Sequence, residues 1–164
     1  MAPASPKIGA CSIRPARIEE ADALSDLCAR SKAVWGYDRG FMTLARPALA
    51  IAPDEVARGA VWVAVLGGRI VGGVTLTPGE VPGTLDLGKL FVRPRRLRSG
   101  IGRALLAHAV EEARRRGAAR LTILADPNAA GFYEREGARR IGDAPSGAVP
   151  GRFLPLYEIS LAPA

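Results

Sequence analysis

The chain of 164 residues is poor in the residues that build metal, disulfide and histidine chemistry: Cys11 and Cys28 are its two cysteines and His108 its one histidine. Neither cysteine sits in a C-x-x-C or other ligand spacing, which excludes a zinc module and a disulfide framework. Two packed thiols in a reducing compartment fit instead. Aromatic residues make up 5%, little for a base-stacking surface. The longest apolar run, Ala60 to Leu66, is far shorter than the ~20 residues needed to cross a bilayer. The start, MAPASPKIGACSIRP, lacks an apolar segment of secretory length. Residues 1–11 read as a flexible leader, and the protein as soluble and cytoplasmic without a membrane partner.

What the chain does have is enough apolar residue, 48%, for one compact domain over 1–164 that buries roughly two-thirds of its unfolded surface. It also has a surplus of cations, 23 Lys and Arg against 16 Asp and Glu, for a net charge of +7. Arginine dominates. That balance suits an anionic ligand such as a nucleotide, nucleic acid or phosphate, although arginine-rich codon usage yields it too.

Periodicity places the elements. Cys11 to Pro15 alternates as a short strand. Apolar residues at Ala23, Leu24, Leu27 and Cys28 predict a helix from Glu19 to about Val34, closed by Gly36. Phe41 to Ile51 predicts a second helix, bent or restarted at Pro47. Two β-rich runs, Val61 to Leu66 and Arg69 to Thr77, flank Gly67-Gly68 and predict a tight hairpin. A strand follows over Leu85 to Val92, stopping before Pro94. Ile101, Leu105, Ala109 and Ala113 recur four apart, predicting a helix from Gly100 to Arg116 ended by Gly117. Leu121 to Ala125 reads as a strand covered on both faces. Asn128 to Glu136 reads as a helix capped by Asn128, Asp143 to Arg152 as a loop, and Phe153 to Leu161 as a last strand. The order implies a mixed, mostly antiparallel sheet with helices on both faces.

Chemistry concentrates in two stretches. In the first, a strand ends at Leu90-Phe91-Val92, a basic loop follows, and Ser99-Gly100-Ile101-Gly102 opens an amphipathic helix. Unpaired amides and the helix dipole make such a start an anion site. Gly100 and Gly102 clear Cβ atoms from the approach. Arg95, Arg96, Arg98 and Arg103 can add charge-assisted contacts. A dinucleotide fingerprint would need glycine where Leu105 stands, and a P-loop would need Gly-Lys-Ser/Thr, so both are excluded. The second stretch is Asp126 to Gly137, with Asn128, Phe132-Tyr133 and Gly137 in sequence.

Together the two stretches resemble the GNAT superfamily of N-acetyltransferases. That family has a hydrophobic strand ending in V-x-P (here Val92-Arg93-Pro94) and an R/Q-x-x-G-x-G/A turn into a long helix. Farther on comes a helix with an asparagine ahead of F-Y-x-x-x-G. Positions 86 to 137 follow that plan. One departure is Leu97, which occupies the family's R/Q position and shifts the weight of the contact to backbone amides.

The resemblance implies an α/β, GNAT-like fold and acetyl-CoA as co-substrate. Amides around Arg98, Ser99, Gly100, Ile101, Gly102, Arg103 and Ala104 would hold the pyrophosphate. Main-chain groups of Leu90, Phe91 and Val92 would pair with the pantetheine arm, and an amide near Phe91 would polarise the thioester carbonyl. Asn128 would bind the arm or the acetyl end, and Tyr133 would protonate the departing thiolate. Without that role, Tyr133 is a core aromatic beside Phe132. Where relatives carry a basic carboxylate this chain has Gly88 and Lys89, so Asp86 is the first candidate base and Glu80 the second.

In this fold the acceptor pocket lies between the first helix pair and a late loop. Trp35 and Tyr37 offer aromatic walls there, Asp38 a partner for a cationic amine, and Arg152, in the loop from Ser146, a partner for a carboxylate. Core packing competes for both aromatics. The implied acceptor is an amine of a small molecule or peptide, met by a monomer or homodimer. Two other readings stay open: an acyl-CoA-binding regulatory domain without turnover, and a basic nucleic-acid module resting on Arg114-Arg115-Arg116. No DNA or RNA motif supports the latter. His108, two turns into the long helix, reads as a packed or solvated side chain.

Overall fold

A computed structural model describes residues 11–161. The leader expected at 1–11 falls, Cys11 apart, outside the described residues. Seven strands form one sheet in the order β1-β2-β3-β4-β5-β7-β6. They are β1 (Ser12–Pro15), β2 (Val61–Leu66), β3 (Arg69–Pro78), β4 (Thr84–Val92), β5 (Arg120–Leu124), β6 (Arg139–Pro145) and β7 (Phe153–Ser160). Every neighbouring pair is antiparallel except β4 with β5. That parallel pair needs a crossover, supplied by α4 (Ile101–Arg115).

Helices cover both faces, as expected. On one, α4 lays Ile101, Leu105, Ala109 and Ala113 against Val74, Leu76 and Leu87. On the other, α1 (Ala21–Ala33) and α3 (Pro53–Ala57) bring Leu24, Leu27, Cys28 and Val56 onto Val61, Val63 and Phe91. Between them runs α2 (Arg39–Leu49), and α5 (Ala130–Arg135) follows β5. Truncating a fully buried leucine such as Leu105 to alanine costs about 2–5 kcal/mol.

Three local expectations need correction, and one short helix had no counterpart among them. Pro47 does not restart α2, which runs unbroken from Arg39, carries the proline in its last turn and ends at Leu49. Pro53–Ala57 forms α3, five residues with proline at the start, too short to leave a helical period. Arg139–Pro145, read partly as loop, is edge strand β6, with a bulge between Arg140 and Gly142 and mostly exposed residues. Lacking a buried face, it shows no alternation. Finally, Asn128 does not cap a helix. Asp126 accepts from the Asn128 amide at 2.9 Å and caps a 3-10 turn over Pro127–Ala129, and α5 starts only at Ala130.

The feature that positions the site is a parting of two strands. β4 pairs with β5 from Thr84–Arg120 to Leu87–Ile123 and no farther. Its pairing with β3 continues to Val92, opposite Gly72. At the parting β4 carries one extra residue: Thr75 pairs with Lys89 and Leu76 with Leu87, leaving Gly88 as a bulge. A Cβ at Gly88 would lie 2.6 Å from the Thr75 hydroxyl. Bulges sharpen the local twist and re-aim a strand, and here β4 leaves β5 behind and opens a gap.

Candidate active site

One wall of the gap is the β4 backbone beyond its last pairing with β5. The Arg93 amide donates to the Val71 carbonyl at 2.7 Å, on the β3 side. Amides alternate along a strand, so Val92 and Leu90 face the other way, into the gap. The Val92 amide confirms this by donating to Ser31 Oγ of α1 at 3.3 Å. Phe91 therefore turns its own amide toward β3. The donor on that edge nearest the bulge is Leu90, one residue from Phe91, near which the sequence suggested it.

At the far end of the gap the chain turns into α4. Arg98 adopts φ 61° and Gly100 φ 85°, both in the left-handed region, where a Cβ is strained. Gly100 is the N-terminal cap position and no side chain caps the helix. The Ser99 hydroxyl donates instead to the Arg96 carbonyl. The first amides of α4 are thus left for an outside acceptor, as every uncapped helix start leaves them. Gly102 faces Val92, Phe132 and Leu90, all near 3.7–3.8 Å from where its Cβ would be. This joins the helix start to the gap and to α5. The arginines divide the labour differently from expectation. Arg103 is drawn to Glu136 at 3.3 Å, and Arg93 donates two bonds to the Ile70 carbonyl. Arg95 and Arg96 line a cleft with Arg30 and Arg69, on the β3 side of the loop.

Tyr133 of α5 lies beside the gap, 6% exposed, and its ring meets that of Phe132 edge-on at 5.1 Å. No group among the described residues hydrogen-bonds its hydroxyl. Burial first, and the charge of Asp126 second, push this phenol well above its ordinary value, so it keeps its proton at neutral pH.

Across the gap mouth, on the face that α1 covers, five side chains from four segments meet. Asp126 Oδ2 accepts from Lys32 Nζ and, at 2.8 Å, from the Tyr37 hydroxyl. Asp126 Oδ1 accepts from Asn128 Nδ2 at 2.9 Å. Arg152 donates to the Tyr37 oxygen at 2.7 Å and lies 4.0 Å from Asp126. Burial alone would raise the Asp126 carboxyl. The Lys32 bond, the Asn128 amide, the Tyr37 hydroxyl and the Lys32 charge outweigh it and hold the group below its ordinary value. Burial is likewise the largest influence on the Tyr37 phenol, which is raised.

These features match a known family. The family model described as Acetyltransferase (GNAT) family matches residues 25–138. The chain belongs to it. No curated protein matches. Among solved structures, the PaiA N-acetyltransferase of Thermoplasma acidophilum in complex with coenzyme A superposes with a TM-score of 0.76. It is 16% identical, over 93% of this chain and 99% of that one. A GNAT acetyltransferase from Brucella melitensis in complex with acetyl-CoA gives 0.65 at 20% identity, over 93% and 89%. The ribosomal-protein-S18-alanine N-acetyltransferase of Escherichia coli gives 0.66 at 18%, over 94% and 96%. At such identities the likeness shows the fold.

Within this GNAT chain the residues expected from sequence fall into two groups. Leu90, Val92, Ser99 to Ala104, Asn128, Tyr133, Tyr37 and Arg152 converge on the gap and its mouth. Asp38 does not: its carboxylate accepts from the Phe41 amide at 2.8 Å and caps α2. Trp35 is 43% exposed in the turn after α1, neither core nor wall. Asp86 lies in the paired half of β4, where its Oδ1 accepts from the Thr122 hydroxyl. It shares a sheet face with Phe91, since Leu85 and Leu87 belong to the α4 face. His108 packs 5.5 Å from Trp62 with Nε2 buried and unpartnered, away from the gap. Sequence reading missed Ser31, Phe41, Asp126 and the ion-pair role of Lys32. Asp126 opens the Asp-Pro-Asn turn, which was the available signal. No helix among the described residues is long and apolar enough to cross a membrane.

Proposed function

We propose that this GNAT protein moves the acetyl group of acetyl-CoA to a primary amine of a small molecule or peptide, by direct attack in a ternary complex. The observation that carries the reading is the gap between β4 and β5, walled by the Leu90 and Val92 backbone and ended by the uncapped start of α4. The amides of Gly100, Ile101, Gly102 and Arg103 suit a pyrophosphate, and the strand edge beside Leu90 suits the amide-bearing pantetheine arm, paired as an extra strand.

The chemistry asks for four things. The amine must lose a proton before it attacks, and Asp86 is the carboxylate proposed to take it, directly or through water. As the N–C bond forms, negative charge grows on the carbonyl oxygen, and the Leu90 amide points where a donor is needed. One such donor is worth roughly 2.7–4 kcal/mol of barrier. The C–S bond then breaks, the thiolate takes the proton of Tyr133, and the second proton leaving the acylated nitrogen passes through water to the phenolate and restores it. The fourth requirement is that the acceptor displace bulk water from the gap, so that the thioester meets the amine rather than hydrolysing.

The test is a thiol-release assay with acetyl-CoA and a panel of amines, amino acids, polyamines and peptides. Acceptor-dependent release is expected. CoA binding without release for any acceptor would leave a regulatory domain in its place.

A further inference from the structure

The cluster at the gap mouth does not balance its charge. Lys32 and Arg152 are both there, with side chains 18% and 21% exposed, and both reach the one carboxylate of Asp126, 10% exposed. Both cations also sit over the same pair of rings. Tyr37 and Phe41 stack at 3.9 Å and 12°. Lys32 Nζ lies 5.2 and 5.9 Å from their centroids, and the Arg152 guanidinium 5.2 and 4.8 Å. Two like charges drawn out of water toward one counter-charge are costly unless a second anion joins them. Ring faces attract cations but offset only part of that cost.

The guanidinium is also underused. Arg152 engages Tyr37 and Asp126 through Nη2. Among the described residues, no acceptor meets its Nε or Nη1. A planar fork with an open edge is the geometry that binds a carboxylate through two parallel bonds. Its ring stacking fixes the plane of that fork before a ligand arrives.

Resting on the acetyl-transfer reading, we propose that the acceptor is an amine that also carries a carboxylate, an amino acid or a close relative. Arg152 receives the carboxylate on its open edge and Lys32 supports it, while the amine reaches past Asp126 toward the gap. Asp126 has its own roles here: it holds Lys32 and Tyr37 in place, and its negative charge faces the side from which the ammonium enters. Tyr37 and Phe41 give the acceptor's carbon frame a flat wall. Amines without a carboxylate lack a group for the surplus cation and are poorer acceptors.

Matched pairs test this: phenylalanine with phenethylamine, tyrosine with tyramine, lysine with cadaverine, each in the thiol-release assay. The member with a carboxylate is expected to show the higher kcat/KM in at least one pair, by about 10-fold or more, the scale of one charged hydrogen bond. Arg152→Gln should then raise KM for that acceptor by about 10- to 100-fold, with kcat and CoA affinity nearly kept, and raise KM for the decarboxylated partner far less, so that the preference within the pair collapses. Lys32→Met serves as the second variant, with a smaller KM effect in the same direction. Equal or better turnover of decarboxylated amines would overturn the proposal while leaving acetyl transfer intact. So would Arg152→Gln and Lys32→Met proteins that lose thermal stability but keep KM, the mark of a structural clasp. Absence of release with every amine would instead strike the acetyl-transfer reading itself.

Discussion

Leu87 is the last residue of β4 to pair with β5, opposite Ile123, and the next residue, Gly88, is the bulge at which the strands part. Because a Cβ at Gly88 would stand 2.6 Å from Thr75 Oγ1, Gly88→Ala should destabilise the protein by about 1–3 kcal/mol through overpacking. Thr75 Oγ1 is buried without a partner, so Thr75→Ala alone should cost little or even stabilise. The double variant should recover most of the Gly88→Ala loss. Strictly additive denaturation energies would show that the two positions do not meet.

Tyr133→Phe keeps the ring and its packing and removes the proton that the thiolate needs. Turnover should fall by about 10- to 10⁴-fold with CoA affinity largely kept. The raised phenol also implies no alkaline loss of activity from Tyr133 up to its ordinary pKa of about 10. A Phe variant with wild-type kcat would remove Tyr133 from the mechanism.

Asp86→Asn preserves shape and removes the carboxylate. At neutral pH kcat/KM should drop by about 10²–10⁴-fold, and recover as pH rises and solvent deprotonates the amine. A pH-independent deficit would point to a positioning role, shared with Thr122.

Asp126 supplies a pH signature of stability. Its carboxyl is lower in the folded chain than the ordinary Asp value of about 3.9. The unfolded chain therefore binds that proton first as pH falls. Its contribution is full above the ordinary value and fades as pH drops through the lower, folded one. Melting temperatures of the native protein and Asp126→Asn should thus differ by a constant amount above pH about 5 and converge in acid below about 4. A gap that widens in acid would contradict the ion pair with Lys32.

Much of the fold was legible because its helices and central strands have one buried face each: the four-residue recurrence from Ile101 to Ala113 and the Gly67-Gly68 hairpin each carried their own signal. Strand β6 and α3 were not legible. An exposed edge strand leaves no alternation, and five residues hold little more than one turn. At the site, the glycines of α4 and the Asn128 to Gly137 stretch announced themselves through backbone needs. The mouth did not. Lys32, Tyr37, Asp126 and Arg152 are spread over 121 positions of the sequence, and only the tertiary fold brings them together. Asp38 misled because a helix cap and a substrate anchor ask for the same residue type.

The most direct test is calorimetric titration of CoA into the protein and into Gly100→Glu. The account expects saturable one-to-one binding to the native chain. It expects none to the variant, whose carboxylate would stand at a left-handed position beside the amides meant for the pyrophosphate. Failure of the native protein to bind CoA, or unchanged affinity in Gly100→Glu, would contradict the cradle on which the rest depends.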